Sequence, residues 1–430
     1  MRILFLNELS DPRIGSSIRQ MYQHAECLRA RGHEAAVLSV TQDAAKRGWT
    51  EIEGTPVYHA HSDYPVRFRA WVSLDNKRVR RDVLEVLAEW QPDVVHSHLI
   101  HTHLGYASLT AAREAGAGVV FTAHDVMSFC YQKLTCFHGG EAAGGLKRDY
   151  PAHWSKCIPC QRLRYRPGRN ARIREVLARD VDRFTVVSDE LGRAISANGI
   201  RVDRTVHNAI RERDHLPSPE QVAAFREQHG LTGKRVIAIG GRLHEQKGVA
   251  QLLKMLARLE PEFPGVRLLV MGREAIYRDA FEALARELGV DQLVVPVGWL
   301  DGDELQAAYA ASEVFVTPSI CFDTFGMVNL EAMEHAKPVV ATSFGGSREV
   351  VADGETGAIE NPFDVTAYSE AIAKLLRDPG LSKRLGAAGR ARLEAQFTIE
   401  RLTDDFLAEY QLARAAAAER KQQPSGPGGR

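Results

Sequence analysis

No run of apolar residues in this 430-residue chain is long enough to cross a membrane as a helix, which needs about 18 or more. The opening, MRILFLNELSD, passes from one arginine through a short apolar run into an acidic turn. It lacks the long apolar region of an export signal, and the chain is expected to be cytoplasmic. Net charge is absent, with 55 Lys/Arg against 55 Asp/Glu, which disfavours nucleic acid as a partner. Glycine is missing where a dinucleotide-binding turn needs it: between Arg2 and Arg31 the only one is Gly15. A GxGxxG fingerprint after the first strand is therefore excluded, and a nicotinamide dehydrogenase is disfavoured. Cysteine is sparse, with six residues. Without an export signal these read as thiols or metal ligands rather than structural disulfides.

What is present is a balanced globular composition, 44% apolar and 26% charged. The length exceeds one ordinary core, so two domains of about 200 residues each are expected. Charge is unevenly placed: 29 Lys/Arg and 23 Asp/Glu precede residue 211, leaving the front half basic and the rear half acidic.

The order of apolar runs and amphipathic stretches is that of alternating strands and helices. Strands are predicted at 2–6, 35–40, 93–97, 119–123, 184–188 and 205–208, with helices ending at Gly32 and spanning 76–90, 104–115, 171–179 and 190–197. A polar stretch, 210–233, containing Pro217 and Pro219, reads as the connection. A second cycle places strands at 236–239, 267–271, 293–297, 314–317, 339–342 and 357–360, then helices from 365 to 409 and a disordered end. Two parallel α/β sheets facing across a cleft follow, and such sheets bind ligands beyond the carboxyl ends of their strands.

Two loops of the rear half carry anion-binding chemistry. In GGRLHEQKG, Gly240 to Gly248, Gly241 allows close backbone approach and Arg242 and Lys247 supply two cations suited to a diphosphate. After the strand at 314–317, Asp323 is predicted to cap a helix whose first amides, around Phe325, Gly326 and Met327, form an anion nest. Glu331 follows eight positions later, roughly 12 Å along a helix, a separation that lets one carboxylate meet a sugar and the other a ribose. The plainer reading is that Asp323 only caps the helix and Glu331 is solvated.

The segment 125–169 is the most individual. Cys130-x5-Cys136 and Cys157-x2-Cys160 gather four of the six cysteines, and the second pair has the spacing of one edge of a structural zinc site. Packed thiols or a redox disulfide are the alternatives. Two basic clusters with interleaved aromatics, 67–81 and 162–174, read either as a solvated face or as a patch for anionic lipid or an anionic acceptor.

RLHEQKG, the Asp323-x7-Glu331 stretch, LEAM at 330–333, KPVVAT at 337–342, GGSREVVADGETG at 345–357, VVHSH at 94–98 and RGHE at 31–34 together resemble the retaining glycosyltransferases of family 4. The resemblance implies a GT-B fold: an acceptor-binding Rossmann-like domain over 1–209 carrying the insert 125–169, a donor domain over 210–395, a C-terminal helix over 396–415 and a tail over 416–430. It implies sugar transfer from a nucleoside-diphosphate sugar, UDP- or GDP-linked, to a hydroxyl acceptor with no cofactor for catalysis, and the two basic clusters add the expectation of a lipid-linked or anionic acceptor and of peripheral membrane contact. By resemblance Arg242 and Lys247 hold the diphosphate with the amides of Gly326, Met327 and Val328. Glu331 holds the ribose, and Asp323 and His124 face the sugar. Gly15 lies in the front loop that approaches the phosphates. Asp323 stands where the family usually has glutamate, and Ala209 where it has glycine. A nucleotide-sugar epimerase and a non-catalytic nucleotide-sugar-binding protein are the alternative functions.

Overall fold

The computed structural model describes residues 1–213, 215–241 and 243–422, and the chain divides into two compact units. The first comprises 1–133, 150–208 and the C-terminal segment from Ile399, and the second comprises 134–149 and 209–398. No helix among the described residues is long and apolar enough to cross a membrane.

The first unit is built on strands β1 (Arg2–Leu6), β2 (Glu34–Thr41), β3 (Gly48–Ile52), β4 (Thr55–His61), β5 (Val94–Ser97), β6 (Gly118–Ala123), β7 (Arg183–Val186) and β8 (Arg204–Thr205). Their spatial order is β3-β4-β2-β1-β5-β6-β7-β8. Every neighbour pairs in parallel except the β3–β4 hairpin. Strands such as Ile3–Leu6 and Val119–Phe121 are fully buried, as sheets covered on both faces require.

The C-terminal helix Ile399–Gln422 belongs to this unit. Leu402, Phe406, Tyr410, Ala413 and Ala417 recur at helical spacing and are all buried. Tyr410 Oη meets His96 Nδ1 at 2.7 Å, and a Cβ at Gly118 would lie 2.6 Å from the Ala413 backbone, so glycine lets the helix close on β6. The disorder predicted from residue 416 is thus corrected as far as Gln422, while the last eight residues lie outside the described set.

The second unit holds β9 (Val236–Gly240), β10 (Arg267–Met271), β11 (Val294–Gly298), β12 (Val314–Thr317), β13 (Val339–Thr342) and β14 (Gly357–Glu360), all parallel in the order β11-β10-β9-β12-β13-β14. Its core joins Ile237, Leu253, Leu268, Val316 and Tyr368. The polar stretch read as connection contains a helix, Pro219–Gln228. Ser218 and Gln221 form a capping box and Pro219 occupies the first turn, where a missing N–H costs nothing, so the proline starts this helix rather than breaking one.

Candidate functional site

In the second unit the chemistry gathers at the carboxyl ends of the central strands β9 and β12. After β9, Gly241 takes φ +106° and its N–H donates to the Met271 oxygen, turning the chain sharply. Arg242 lies outside the described residues. A short turn of helix, Glu245–Lys247, ends at Gly248, whose φ is +73° and where a Cβ would come within 1.8 Å of the Pro318 oxygen. The loop after β12 is therefore pressed directly onto the loop after β9. Ile320 N–H donates to the Gln246 oxygen at 2.9 Å and fixes the same contact.

That contact brings Lys247 to Asp323. Lys247 Nζ stands 3.6 Å from Asp323 Oδ2, and Ser319 Oγ lies 3.4 Å from both. Asp323 is 8% exposed, and its backbone is locked on both sides: its N–H donates to the Phe344 oxygen at 3.1 Å, and its own oxygen accepts from Gly346 N–H at 2.7 Å. Gly345 sits opposite with φ +90°, and a Cβ there would strike the Asp323 oxygen at 2.0 Å.

Asp323 is not a helix cap. The helix runs Met327–Glu334, and its N-cap is Gly326 at φ +84°. The chain needs three further residues after Asp323 to turn, because the aspartate backbone is committed to the strip at Phe344–Gly346. Asn329 N–H is taken by the Gly326 oxygen at 2.9 Å, leaving the amides of Gly326, Met327 and Val328 without a backbone acceptor among the described residues. These helix-start amides come three residues later than Asp323 capping would put them. Phe325 is 1% exposed and acts as an anchor beneath that turn, with its ring 5.9 Å from Phe397. Glu331 projects from the same helix and accepts from Tyr309 Oη at 2.7 Å. Buried Asn329 Nδ2 and Ser347 Oγ, the atoms nearest a Cβ at Gly326, have no hydrogen-bond partner among the described residues.

Within the first unit, His124 stands immediately after β6. Its Nε2 meets His98 Nδ1, just beyond β5, at 2.7 Å. His124 Nδ1 and His98 Nε2 are buried without a partner among the described residues. Burial pushes the His124 imidazole down to about 4 and His98 well below its ordinary value, so both rings are neutral near pH 7. Asp125 beside them is buried too, which would raise its carboxyl, but His101 at 3.2 Å and the Met127 amide outweigh this and hold it low. Glu8, after β1, accepts from the amides of Thr102 and His103 at 2.5 and 2.6 Å, while burial drives its carboxyl upward. Gly15 caps the helix Ser16–Ala30 with φ −172°, extended backbone that any residue adopts.

No group of three or more His, Cys, Asp or Glu among the described residues is placed to hold a metal. Cys157 and Cys160 share the helix Trp154–Gln161 of the first unit, as Cys130 does that unit's loops, whereas Cys136 travels with 134–149 into the second unit. Ser319 and His98 were not singled out as site residues from sequence. His98 stood in the VVHSH motif, but nothing in the order of residues pairs it with His124.

The family described as Glycosyl transferases group 1 matches residues 221–392, and that described as Glycosyl transferase 4-like domain matches 16–209. An alpha-maltose-1-phosphate synthase of Mycolicibacterium smegmatis is 30% identical over 333 residues, 75% of this chain and 79% of that protein. A GDP-mannose-dependent alpha-(1-6)-phosphatidylinositol monomannoside mannosyltransferase of the same organism is 34% identical over 180 residues, which are 40% of this chain and 47% of that protein. Among solved structures, Anabaena HepE in complex with UDP superposes with a TM-score of 0.70 at 19% identity, covering 96% of this chain and all of the other. Two parallel-sheet units with these matches leave one assignment: the chain belongs to the GT-B glycosyltransferases and is an enzyme of sugar transfer.

Proposed function

We propose that the enzyme is a cytoplasmic retaining glycosyltransferase that moves a hexose-type sugar from a nucleoside diphosphate to a hydroxyl acceptor in the synthesis of a glycan, polysaccharide or glycolipid. The observation that carries the donor assignment is the approach of Lys247 to Asp323 and Ser319 beside the open amides of Gly326, Met327 and Val328. When the nucleoside diphosphate leaves, negative charge grows on its phosphate while the anomeric carbon becomes cationic. A fixed ammonium and backbone donors stabilise that charge where it develops and need no reorganisation. Arg242 takes the same role on the strength of its motif.

Asp323 hydrogen-bonds the sugar, and Glu331 the ribose. His124, neutral at pH 7, offers its Nδ1, which has no partner among the described residues, to a sugar hydroxyl without adding positive charge next to a cationic transition state. No protein nucleophile is required: the acceptor hydroxyl attacks from the face the diphosphate leaves, and the departing phosphate takes its proton. The basic front half supports an acceptor that is anionic or lipid-linked.

Thermal-shift screening against UDP, GDP, ADP and their sugars tests the donor half, since a ligand bound only by the folded state raises the midpoint. One base should stand out, and loss of that shift in Lys247→Ala places it at this loop. Turnover of nucleotide sugar with no acceptor present and no hydrolysis would indicate an epimerase instead. Tight binding with neither transfer nor hydrolysis would indicate a binding protein.

A further inference from the structure

The two basic clusters of the first unit, nearly a hundred residues apart in sequence, form one surface. Arg166 ties them: its guanidinium donates to the main-chain oxygens of Ala70 and Trp71, at 3.4 and 3.1 Å. Tyr131 braces the junction, donating through its hydroxyl to the Arg166 oxygen at 2.9 Å and meeting Tyr165 at 5.8 Å between rings.

On this surface large apolar side chains stand in water. Leu163 is 98% exposed, Trp154 63%, Phe68 47% and Trp71 41%. Isolated exposed apolar residues are ordinary, but a group this size on one face is not. The charge around them has one sign. From Val66 to Arg81 six Lys/Arg meet a single acid, Asp75, and from Lys156 to Arg174 seven Lys/Arg meet none. Arg162 and Arg164 flank Leu163 on both sides and Arg67 precedes Phe68, and these three arginines make no ion pair among the described residues. Behind the surface lies a cavity of about 650 Å³ with Leu74, Val83 and Leu104 in its wall and Arg80, Arg166 and Arg172 around it.

We propose that this face docks the enzyme on an anionic lipid bilayer, with Leu163, Phe68 and Trp71 entering the headgroup boundary and Arg67, Arg162 and Arg164 pairing with lipid phosphates. A soluble polyanion would satisfy the arginines and leave the apolar group in water. A neutral membrane would take the apolar group and leave the arginines without counter-charge. Only an anionic bilayer presents both chemistries within one side chain's length of each other. The sequence around Leu163, RLRYR, places an apolar tip between two cations on a three-residue turn, Arg162–Arg164, that packs on the helix before it rather than on a sheet. Such a tip is geometrically free to enter a boundary layer. The inference deepens the acceptor part of the proposed function by naming the surface where a lipid-linked acceptor is met, but it does not depend on the donor assignment.

The test is flotation of the full chain with vesicles of phosphatidylcholine alone and of phosphatidylcholine with one third phosphatidylglycerol, with no sugar nucleotide present. Binding should occur only to the anionic vesicles and weaken as salt is raised. Leu163→Glu and the double variant Arg162→Gln/Arg164→Gln alter exposed side chains. Both should retain the parent melting temperature and transfer to a water-soluble acceptor. The double variant should lower vesicle affinity about fivefold for each charge removed, and Leu163→Glu should abolish flotation. Absence of binding to anionic vesicles overturns the proposal, as does binding that Leu163→Glu leaves intact. Capture by soluble polyphosphate that depends on Arg162 and Arg164 but not on Leu163 likewise overturns it in favour of a polyanion. Because donor and acceptor are absent, failure here leaves the transfer assay standing, and failure of transfer leaves this result standing.

Discussion

His138 Nε2 donates to the main-chain oxygen of Ile320 at 2.8 Å across 182 residues of sequence, and the imidazole lies flat on Phe344 with ring centroids 5.1 Å apart. Ile320 and Phe344 flank Asp323, the first three residues before it and the second supplying the oxygen that its N–H binds. The 134–149 segment therefore buttresses the loop that carries the carboxylate. Phe137 adds edge-on contacts to Phe322 and Phe344, and Asn361 donates to the Gly144 oxygen at 2.6 Å. The same ring accepts from Gly140 N–H through Nδ1 at 2.9 Å, so only the neutral tautomer with hydrogen on Nε2 satisfies both partners.

His138→Ala should therefore loosen Asp323 without touching it. Losing a buried hydrogen bond and a stacked ring costs roughly 1–3 kcal/mol, read as a lower melting temperature, and the turnover number should fall more than the donor KM rises. His138→Gln, which restores a donor toward Ile320, should recover part of the turnover. Unchanged turnover in the alanine variant would show the segment to be mere packing.

Lys247→Ala should reduce transfer on the order of 10²-fold, by analogy with removal of one preorganised donor to a developing oxyanion. Folding should survive, because the Lys247 side chain is 30% exposed and its loss leaves the Gln246–Ile320 backbone contact in place. Circular dichroism and initial rates separate the two effects. Near-normal transfer in a folded variant would remove Lys247 from the chemistry.

Acid should destabilise the fold well before ordinary carboxylates titrate. Burial lowers His24 to about 3, His124 to about 4 and His335 to about 3, and holds His96 and His98 well below their ordinary value. In the unfolded chain these imidazoles titrate near 6.5. The unfolded state therefore binds more protons below that pH, and their contribution is fully present above about 6.5 and is lost as pH falls toward 3–4. Urea midpoints measured from pH 7.5 to 4.5 should fall steadily. A flat profile across that range would mean that the rings are solvated.

No structural metal should be found. Among the described residues no group of three or more His, Cys, Asp or Glu is placed to hold a metal. Elemental analysis of reduced protein should give zinc well below one equivalent, and a chelator should not move the melting temperature. One tightly held equivalent, lost together with stability on Cys157→Ser, would contradict the arrangement.

Much of the fold was legible because alternation is a local signal. Buried parallel strands read as short apolar runs, and helices as 3.6-residue periodicity ending at glycine. The hairpin Gly48–Ile52 and Thr55–His61 escaped that reading, although Glu53-Gly54 supplies its turn, since strands with exposed Trp49, Thr50 and Glu51 lack an apolar run. The candidate site was legible to the extent that it lies at strand ends: Lys247 was read from the cations of its loop, Asp323 from its place before an apolar period, and the family resemblance gave each a role. What was hidden depends on contacts between distant segments. Ser319 acquires meaning only between Lys247 and Asp323, and His98 only against His124. Asp323 was misread as a helix cap because an aspartate before an apolar period is the usual signal, and its pairing with Gly345 leaves no local trace.

Gly248 and Gly354 separate the cost of a backbone angle from the cost of a collision. Both have φ +73°, so alanine at either one pays for a left-handed backbone, about 1–2 kcal/mol. At Gly354 nothing lies within 4 Å of the added Cβ, whereas at Gly248 it would sit 1.8 Å from the Pro318 oxygen, a backbone atom that must move. The movement separates the loop carrying Lys247 from the loop carrying Ser319 and Asp323. A displacement near 1 Å in positioning groups costs on the order of 10² in rate. Gly354→Ala should therefore lower the melting temperature and leave transfer nearly intact, while Gly248→Ala should lower both, with the larger loss in turnover. Equal transfer rates in the two folded variants would mean that the spacing of Lys247 and Asp323 does not set the rate.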